Sequence, residues 1–310
     1  MEEVSTYRIK EDAYKAVIQS VQVQGMREYQ EDSYVMKHIP KHIILACILD
    51  GHGGEYCSKW VKSMIMYTIE QNLNTLHRMT YKILLNKMLE SNTFQTNKNY
   101  ATLMNMLKTY YKLPALYTIL EMKHSHTKLQ KINDFLYEHL LKNSIQDISE
   151  RWDEHSIPNI GEKKNKYTSG TTVLITLVIG FTVHIIWLGD SRAIFTKDSI
   201  EGIFSTKDHK PSYDDIPDNS NGFIHNNRIN GILGVGRTIG DNSKKLRGCI
   251  SREASYEKYK FSNKTTIVIA SDGLYDQYAN SKIMKMDLNS VKNEDYVDNM
   301  TMIRIDVEHT

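Results

Sequence analysis

Only three cysteines occur in 310 residues, Cys47, Cys57 and Cys249, and no two of them form a C-x-x-C pair. An odd and scattered set excludes a disulfide framework and a zinc knuckle, and it fits a reducing compartment. An excess of either charge is lacking as well. Lys and Arg number 39 against 37 Asp and Glu, and the net +2 signals no attraction to nucleic acid or lipid. There is no internal repeat. The first residues, MEEVSTYRIKEDAYK, are charged where a secretory signal needs an apolar core, so export is not expected. One run, TTVLITLVIGFTVHIIWLG at 171–189, approaches the roughly 20 residues of a membrane span. Gly180 splits it into two β-branched halves, and its threonines and His184 suit two core strands joined by a tight turn better than lipid. The expected protein is an intracellular monomer, cytoplasmic or nuclear, with no nucleic-acid and no membrane partner.

What is present is ordinary for a globular chain, 40% hydrophobic and 25% charged. The length allows one or two domains at about 150 residues each. Strand-like runs are expected at 14–23, 43–49, 172–179, 181–188, 265–271 and 300–307. In the last, Thr301, Ile303, Ile305 and Val307 alternate with Met302, Arg304 and Asp306, the period of a half-buried strand. Between residues 55 and 150 the apolar spacing changes to three and four, in YCSKWVKSMIMYTIEQNL and INDFLYEHLLKNSI, as in amphipathic helices. The polar stretch SNTFQTNKNY at 91–100 marks a surface insertion within that zone. His124 and His126 lie in a solvated segment and not a metal site.

Carboxylates stand at the ends of these strands. The apolar run Ile43 to Leu49 stops on Asp50, followed by Gly51, His52, Gly53 and Gly54. A turn alone explains one such acid. Asp272 and Asp276 follow a second buried strand, Asp190 a third, Asp298 precedes a fourth, and Glu31 with Asp32 stands at another strand start. If the strands lie side by side, these acids meet at one edge, where like charges at 4 Å repel by about 4 kcal/mol at an effective dielectric near 20. Arg27 offers one positive charge. Four or more acids require hard divalent cations, and oxygen-only ligands suit magnesium or manganese and not zinc.

The segments REYQED, LDGHGG, TSGTT, LGDSRA, DHKP, GILGVGRTIGD, ASDGLYD and DNMT occur in this order between about residues 22 and 307. Together they resemble the motifs of the metal-dependent Ser/Thr protein phosphatases of type 2C. The resemblance implies an α+β fold, a four-layer α-β-β-α sandwich of two packed, mainly antiparallel sheets flanked by helices. It implies a single catalytic domain over 1–310, with a helical insertion near 76–130. Asp50 then resembles the carboxylate bridging two Mn2+ or Mg2+ ions, Gly51 offers its carbonyl, and Asp272 and Asp298 complete the two sites. Glu31 and Asp32 act on the metals directly or through water, and Asp190 and Asp276 resemble acids of a weaker third metal site. Arg27 matches the phosphate-binding arginine.

The activity so implied is hydrolysis of phosphoserine and phosphothreonine in phosphorylated protein substrates by a hydroxide bridging the two ions. His52, two residues after the bridging acid, is the candidate general acid for the departing alkoxide. Some positions depart from the motif. Gly236 stands where the pattern has Ser or Thr, Thr238 replaces a small residue, and residues 212–230 form a short, Asn-rich version of the flap that shapes substrate access. The stretch between Asp272 and Asp298 leaves room only for trimmed helices. Gly234, Gly236 and Gly240 miss the dinucleotide-binding spacing. The rival readings are a non-catalytic phosphatase-like domain that binds partner proteins and a metal phosphatase for small molecules.

Overall fold

A computed structural model describes residues 4–10, 14–39, 43–85, 125–156, 168–197, 200–218 and 220–309. The core of the expected insertion, residues 86–124, and the side chains of His124 and His126 lie outside the described residues.

Two antiparallel sheets dominate. Five strands, β3 (Ser33–Ile39), β4 (Ile43–Leu49), β7 (Val173–Ile179), β8 (Thr182–Leu188) and β14 (Ser255–Lys260), form one in the order β14-β8-β7-β4-β3. Six form the other in the order β1-β2-β16-β15-β9-β10, from β1 (Ser5–Lys10), β2 (Tyr14–Val23), β9 (Arg192–Lys197), β10 (Ile200–Ser205), β15 (Lys264–Ala270) and β16 (Met300–His309). The run that resembled a membrane span is β7 and β8, turned at Gly180–Phe181 and paired in register from Val173↔Leu188 to Ile179↔Thr182. Gly180 takes φ 54° there, the left-handed conformation that a tight turn needs. Among the described residues no helix is long and apolar enough to cross a membrane.

Alternation along the strands decides what each face meets. Ile44, Ala46, Ile48, Leu174, Ile185 and Trp187 from the first sheet share one buried cluster with Ile18, Phe195, Ile267, Ile269, Ile303 and Ile305 from the second, so the sheets stack face to face. On the outer side of the six-stranded sheet, Val21, Val23, Val268, Met300 and Met302 are buried with side chains from three helices. These helices, α3 (Asp272–Tyr275), α4 (Asn280–Ile283) and α5 (Leu288–Lys292), have four, four and five residues and occupy the connection from Asp272 to Asp298. Both faces of β4 are fully buried. The long helices α1 (Tyr56–Leu85) and α2 (Ser125–His155) bury Cys57, Val61 and Ile65, and Ile145, Ile148 and Trp152, in the same compact unit as the sheets. The class is α+β.

That unit comprises residues 1–66 and 145–310; residues 67–144 form a second unit, within which Asn72 donates to Ser144 Oγ at 2.8 Å. Two small sheets lie in the first unit. β5 (Gly51–His52), β6 (Gly170–Thr171) and β13 (Ile239–Gly240) pair in the order β13-β6-β5. The hairpin β11 (Ile224–His225) and β12 (Arg228–Ile229) turns through Asn226 and Asn227 at φ 49° and 56°. Asparagine tolerates this left-handed turn better than most residues, which suits Asn226 and Asn227 to it.

Candidate metal and phosphate site

The apolar strand β4 carries Asp50 out of the core, and two threonines hold it there. Thr172 Oγ1 accepts from the Asp50 N–H at 3.1 Å, while the Thr172 N–H at 2.9 Å and Thr171 Oγ1 at 3.1 Å donate to the Asp50 carbonyl. The SGTT segment thus fixes the direction in which the Asp50 carboxylate leaves the sheet. Gly51 follows because a Cβ there would run into the Glu31 carbonyl and Ser58 Oγ. Asp272 opens α3 directly after β15, and its N–H lies 3.4 Å from Asp50 Oδ2.

Carboxylate oxygens of Asp50, Asp190 and Asp272 all lie within 4.8 Å of one another. Three acids from the ends of three strands therefore meet at one point. Burial first, and then the charges of Asp272, Asp32 and Asp190, push the Asp50 carboxyl well above the ordinary range. Burial with Asp190, Asp276 and Asp298 raises Asp272 to about 6. Asp32 is raised to about 7 by burial, against the hydrogen bonds that Thr301 and Ser271 donate to its Oδ2 at 2.8 Å each. Its other oxygen, Oδ1, is buried with no hydrogen-bond partner among the described residues. Repelling carboxylates beside an orphaned buried oxygen fit a hard divalent cation, because positive charge at that place would offset the burial and the like charges that oppose ionisation.

The remaining expected residues surround this point. Glu31 is locked by three bonds: its N–H donates to Asn299 Oδ1 at 2.7 Å, its Oε1 accepts from the Gly54 N–H at 2.6 Å, and its carbonyl accepts from Ser58 Oγ at 2.5 Å. Asp298 stands outside the group of three and is paired with Arg27, Nη2 to Oδ2 at 2.5 Å. Arg27 is half exposed. Asp276 is exposed one turn after Asp272 and acts on it through charge. Asp190, which the resemblance gives to a weaker third site, lies in the same group as Asp50 and Asp272 and also accepts from Lys210 Nζ at 2.7 Å.

His52 pairs with a residue that motif reading did not assign to the site. Its Nε2 is 2.8 Å from Asp241 Oδ2 and 3.0 Å from Oδ1, and Thr238 Oγ1 donates to the same Oδ2 at 2.6 Å. Burial lowers the imidazolium pKa, but the charge and hydrogen bond of Asp241, with the charges of Asp190 and Glu31, together more than offset it, so the net shift is upward. Thr238, a departure from the motif, thereby supports the carboxylate that holds His52. Gly236, the other departure, sits where a Cβ would meet the Lys210 carbonyl at 2.6 Å and the His209 carbonyl at 2.9 Å. Only a residue without a Cβ fits that approach as the chain stands.

The family model "Protein phosphatase 2C" matches residues 104–302, more than half of the chain. Among curated proteins, the chain is 26% identical over 175 residues to the integrin-linked kinase-associated serine/threonine phosphatase 2C of Bos taurus, covering 54% of this chain and 47% of that protein. It is 30% identical over 155 residues to probable protein phosphatase 2C 11 of Arabidopsis thaliana, covering 48% and 40%. It thus spans less than half the length of these relatives. Among solved structures, the serine-threonine phosphatase 2C of Toxoplasma gondii has a TM-score of 0.60 at 14% identity, over 99% of this chain and 100% of that one. A sex-determining protein of C. elegans has a TM-score of 0.61 at 16% identity, over 93% and 64%. At these identities the structural likeness is one of fold.

Proposed function

Because the chain belongs to the protein phosphatase 2C family, we propose that it hydrolyses phosphoserine and phosphothreonine in proteins with divalent cations held at its carboxylate group. The observation that carries this reading is the meeting of Asp50, Asp190 and Asp272 within 4.8 Å. Bound there, two Mn2+ or Mg2+ ions, with a weaker third, would supply water acidified towards neutral pH and positive charge against the phosphoryl group. Asp50, Asp272, Asp298 and the Gly51 carbonyl would hold the pair of cations, Glu31 and Asp32 would act on them directly or through water, and Asp190 and Asp276 would hold the weaker third.

The chain's own groups do the rest. Arg27, anchored by Asp298 through one nitrogen, presents its other donors to the phosphoryl oxygens. His52 gives a proton to the departing serine or threonine oxygen, and because Nε2 is engaged by Asp241, Nδ1 is the nitrogen left for that task. The rival reading, a non-catalytic partner-binding domain, would be favoured by lost acids; all seven expected carboxylates are present. The buried free cysteines favour an intracellular setting.

The test is manganese-dependent dephosphorylation of a phosphothreonine peptide by wild type and Asp272→Asn. Turnover is expected to need the metal and to fall by about a thousandfold or more in the variant. Wild-type turnover that persists in excess chelator would refute the reading.

A further inference from the structure

A cavity of about 690 Å3 adjoins the His52–Asp241 pair, lined in part by Asp153, Glu154, Asp241, Lys244, Arg247 and Arg252. Its charges sort into those already matched and those left over. Arg252 forms an ion pair with Asp153 and also donates to Ser149 Oγ at 2.9 Å and Asn242 Oδ1 at 3.2 Å. Asp241 is taken by His52 and Thr238. Lys244 and Arg247 are exposed and have no acidic partner among the described residues, and Glu154 is the one unpaired acid of the lining. Two free cations against one anion leave the cavity open to a negative group.

The cations are held in place by the backbone beneath them. The N–H groups of Leu246 and Arg247 both donate to the Ser243 carbonyl, at 3.0 and 2.9 Å, and the Cys249 N–H donates to the Leu246 carbonyl at 2.9 Å. Leu246 and Cys249 are buried in the small cluster with Ile229, Leu233 and Val235, and Asn230 Nδ2 donates to the Lys245 carbonyl at 2.5 Å. A loop anchored on both sides presents its charges with little ordering left to be done on binding.

The cavity also lies at a peptide's reach from the reacting centre. Asp241 forms part of its wall and holds His52 at 2.8 Å, and His52 follows Asp50 by two residues, at most about 7.6 Å of chain. An extended peptide advances about 3.3 Å per residue. We propose that this cavity is a substrate subsite that takes an anionic side chain, carboxylate or phosphate, two to four residues from the phosphorylated serine or threonine. The inference rests on the reading of the chain as a protein phosphatase and adds a preference to it.

The experiment compares phosphothreonine peptides whose positions two to four away, on either side, carry alanine, glutamate or a second phosphoserine. With manganese-loaded protein, kcat/KM for the better-placed glutamate peptide is expected to exceed that of the alanine peptide by about fivefold, the scale of two charge-assisted contacts at a partly exposed site. The phosphoserine arm separates the two sources of negative charge: a rate above that of the glutamate peptide marks phosphate as the preferred group, and a rate below it marks carboxylate. Lys244→Ala combined with Arg247→Ala should bring the ratio to one. Lys245→Ala, which removes the same charge from the neighbouring residue outside the lining, should leave it intact. Equal rates for glutamate and alanine peptides in wild type, or a preference that survives the double variant, would overturn the proposal. Fluorescence anisotropy with the Asp272→Asn protein reads the same preference without turnover. A preference seen in binding, with no hydrolysis of any peptide by wild type, would strike the catalytic reading and spare the subsite.

Discussion

His52 Nε2 lies 2.8 Å from Asp241 Oδ2 across 189 residues of sequence, and the backbone of Gly170 makes room for both. A Cβ on Gly170 would run into the Asp241 carboxylate and the His52 ring at once. The S-G-T-T segment therefore has two tasks: its threonines fix Asp50, and its glycine clears the space in which a carboxylate orients the imidazole.

This arrangement separates two kinds of substrate. Asp241→Asn keeps the side-chain shape but removes the charge that holds the imidazole as a proton donor. Hydrolysis of phosphothreonine peptides should fall by about 10² or more, the usual scale of general-acid assistance, while aryl phosphates with good leaving groups lose much less. Gly170→Ala should show the same selectivity. The measurement is kcat/KM across leaving groups of graded pKa, and equal slowing throughout would remove Asp241 from the proton-delivering pair.

The acid cluster makes an opposite pair of demands on stability and activity. Like charges separated by 4.8 Å at an effective dielectric near 20 repel by about 3 kcal/mol. Asp50→Asn removes a member whose ionisation is opposed first by burial and then by the charges of Asp272, Asp32 and Asp190. In excess chelator this variant should melt several degrees above wild type, whereas added manganese should stabilise wild type far more than the variant. Thermal melts with and without metal decide it. A variant less stable than wild type in chelator would mean that the cluster is not held against its own repulsion.

Much of this was legible in the chain before its structure. The buried strands β2, β4, β7, β8, β15 and β16 read directly, because an apolar run or a strict alternation leaves few other options. The edge strands did not: β1 and β10 flank one sheet and β14 ends the other, and STYRIK and SYEKYK are polar, half-exposed sequences of the kind that discourages edge-to-edge pairing. At the fourth edge, β3, the reading inferred only the start, from Glu31 and Asp32. In the site, acids next to strand ends announced themselves by position. Asp241, Thr238 and Lys210 did not, because their roles depend on contacts made from distant parts of the chain. The nearness of Asp190 to Asp50 is likewise set by the sheet and not by spacing.

Gly236 shows how one departure from a motif becomes necessary in its own context. Its N–H donates to the His209 carbonyl at 2.6 Å, and a Cβ would meet backbone on two residues, which cannot swing aside as a side chain can. Gly236→Ser, which restores the residue type of the motif, should therefore destabilise this chain by about 1–3 kcal/mol, the usual cost of overpacking. It should also shift Lys210 away from Asp190. Chemical denaturation reads the first effect, and a changed metal affinity in a titration followed by thermal shift reads the second. A variant as stable as wild type would show that the backbone gives way.

His209 supplies a pH dependence that is separate from the acids. Its Nδ1 accepts from the Gly189 N–H at 3.0 Å, so the ring is neutral with its proton on Nε2, which donates to Ser255 Oγ at 2.9 Å. Protonating Nδ1 would break the first bond. Burial, together with the charge of Arg237, accordingly lowers its pKa to about 4 from an ordinary 6.5. Between these values the unfolded chain binds the proton and the folded chain does not. The stability tied to neutral His209 is thus fully present above pH 6.5 and is lost as pH falls towards 4, by at most about 3.4 kcal/mol at 1.36 kcal/mol per unit. His209→Gln keeps an acceptor and a donor but cannot take up a proton. The difference in unfolding free energy between wild type and this variant, measured from pH 7.5 to 4, should shift in favour of the variant as acid is added. A constant difference would show that His209 titrates alike in both states.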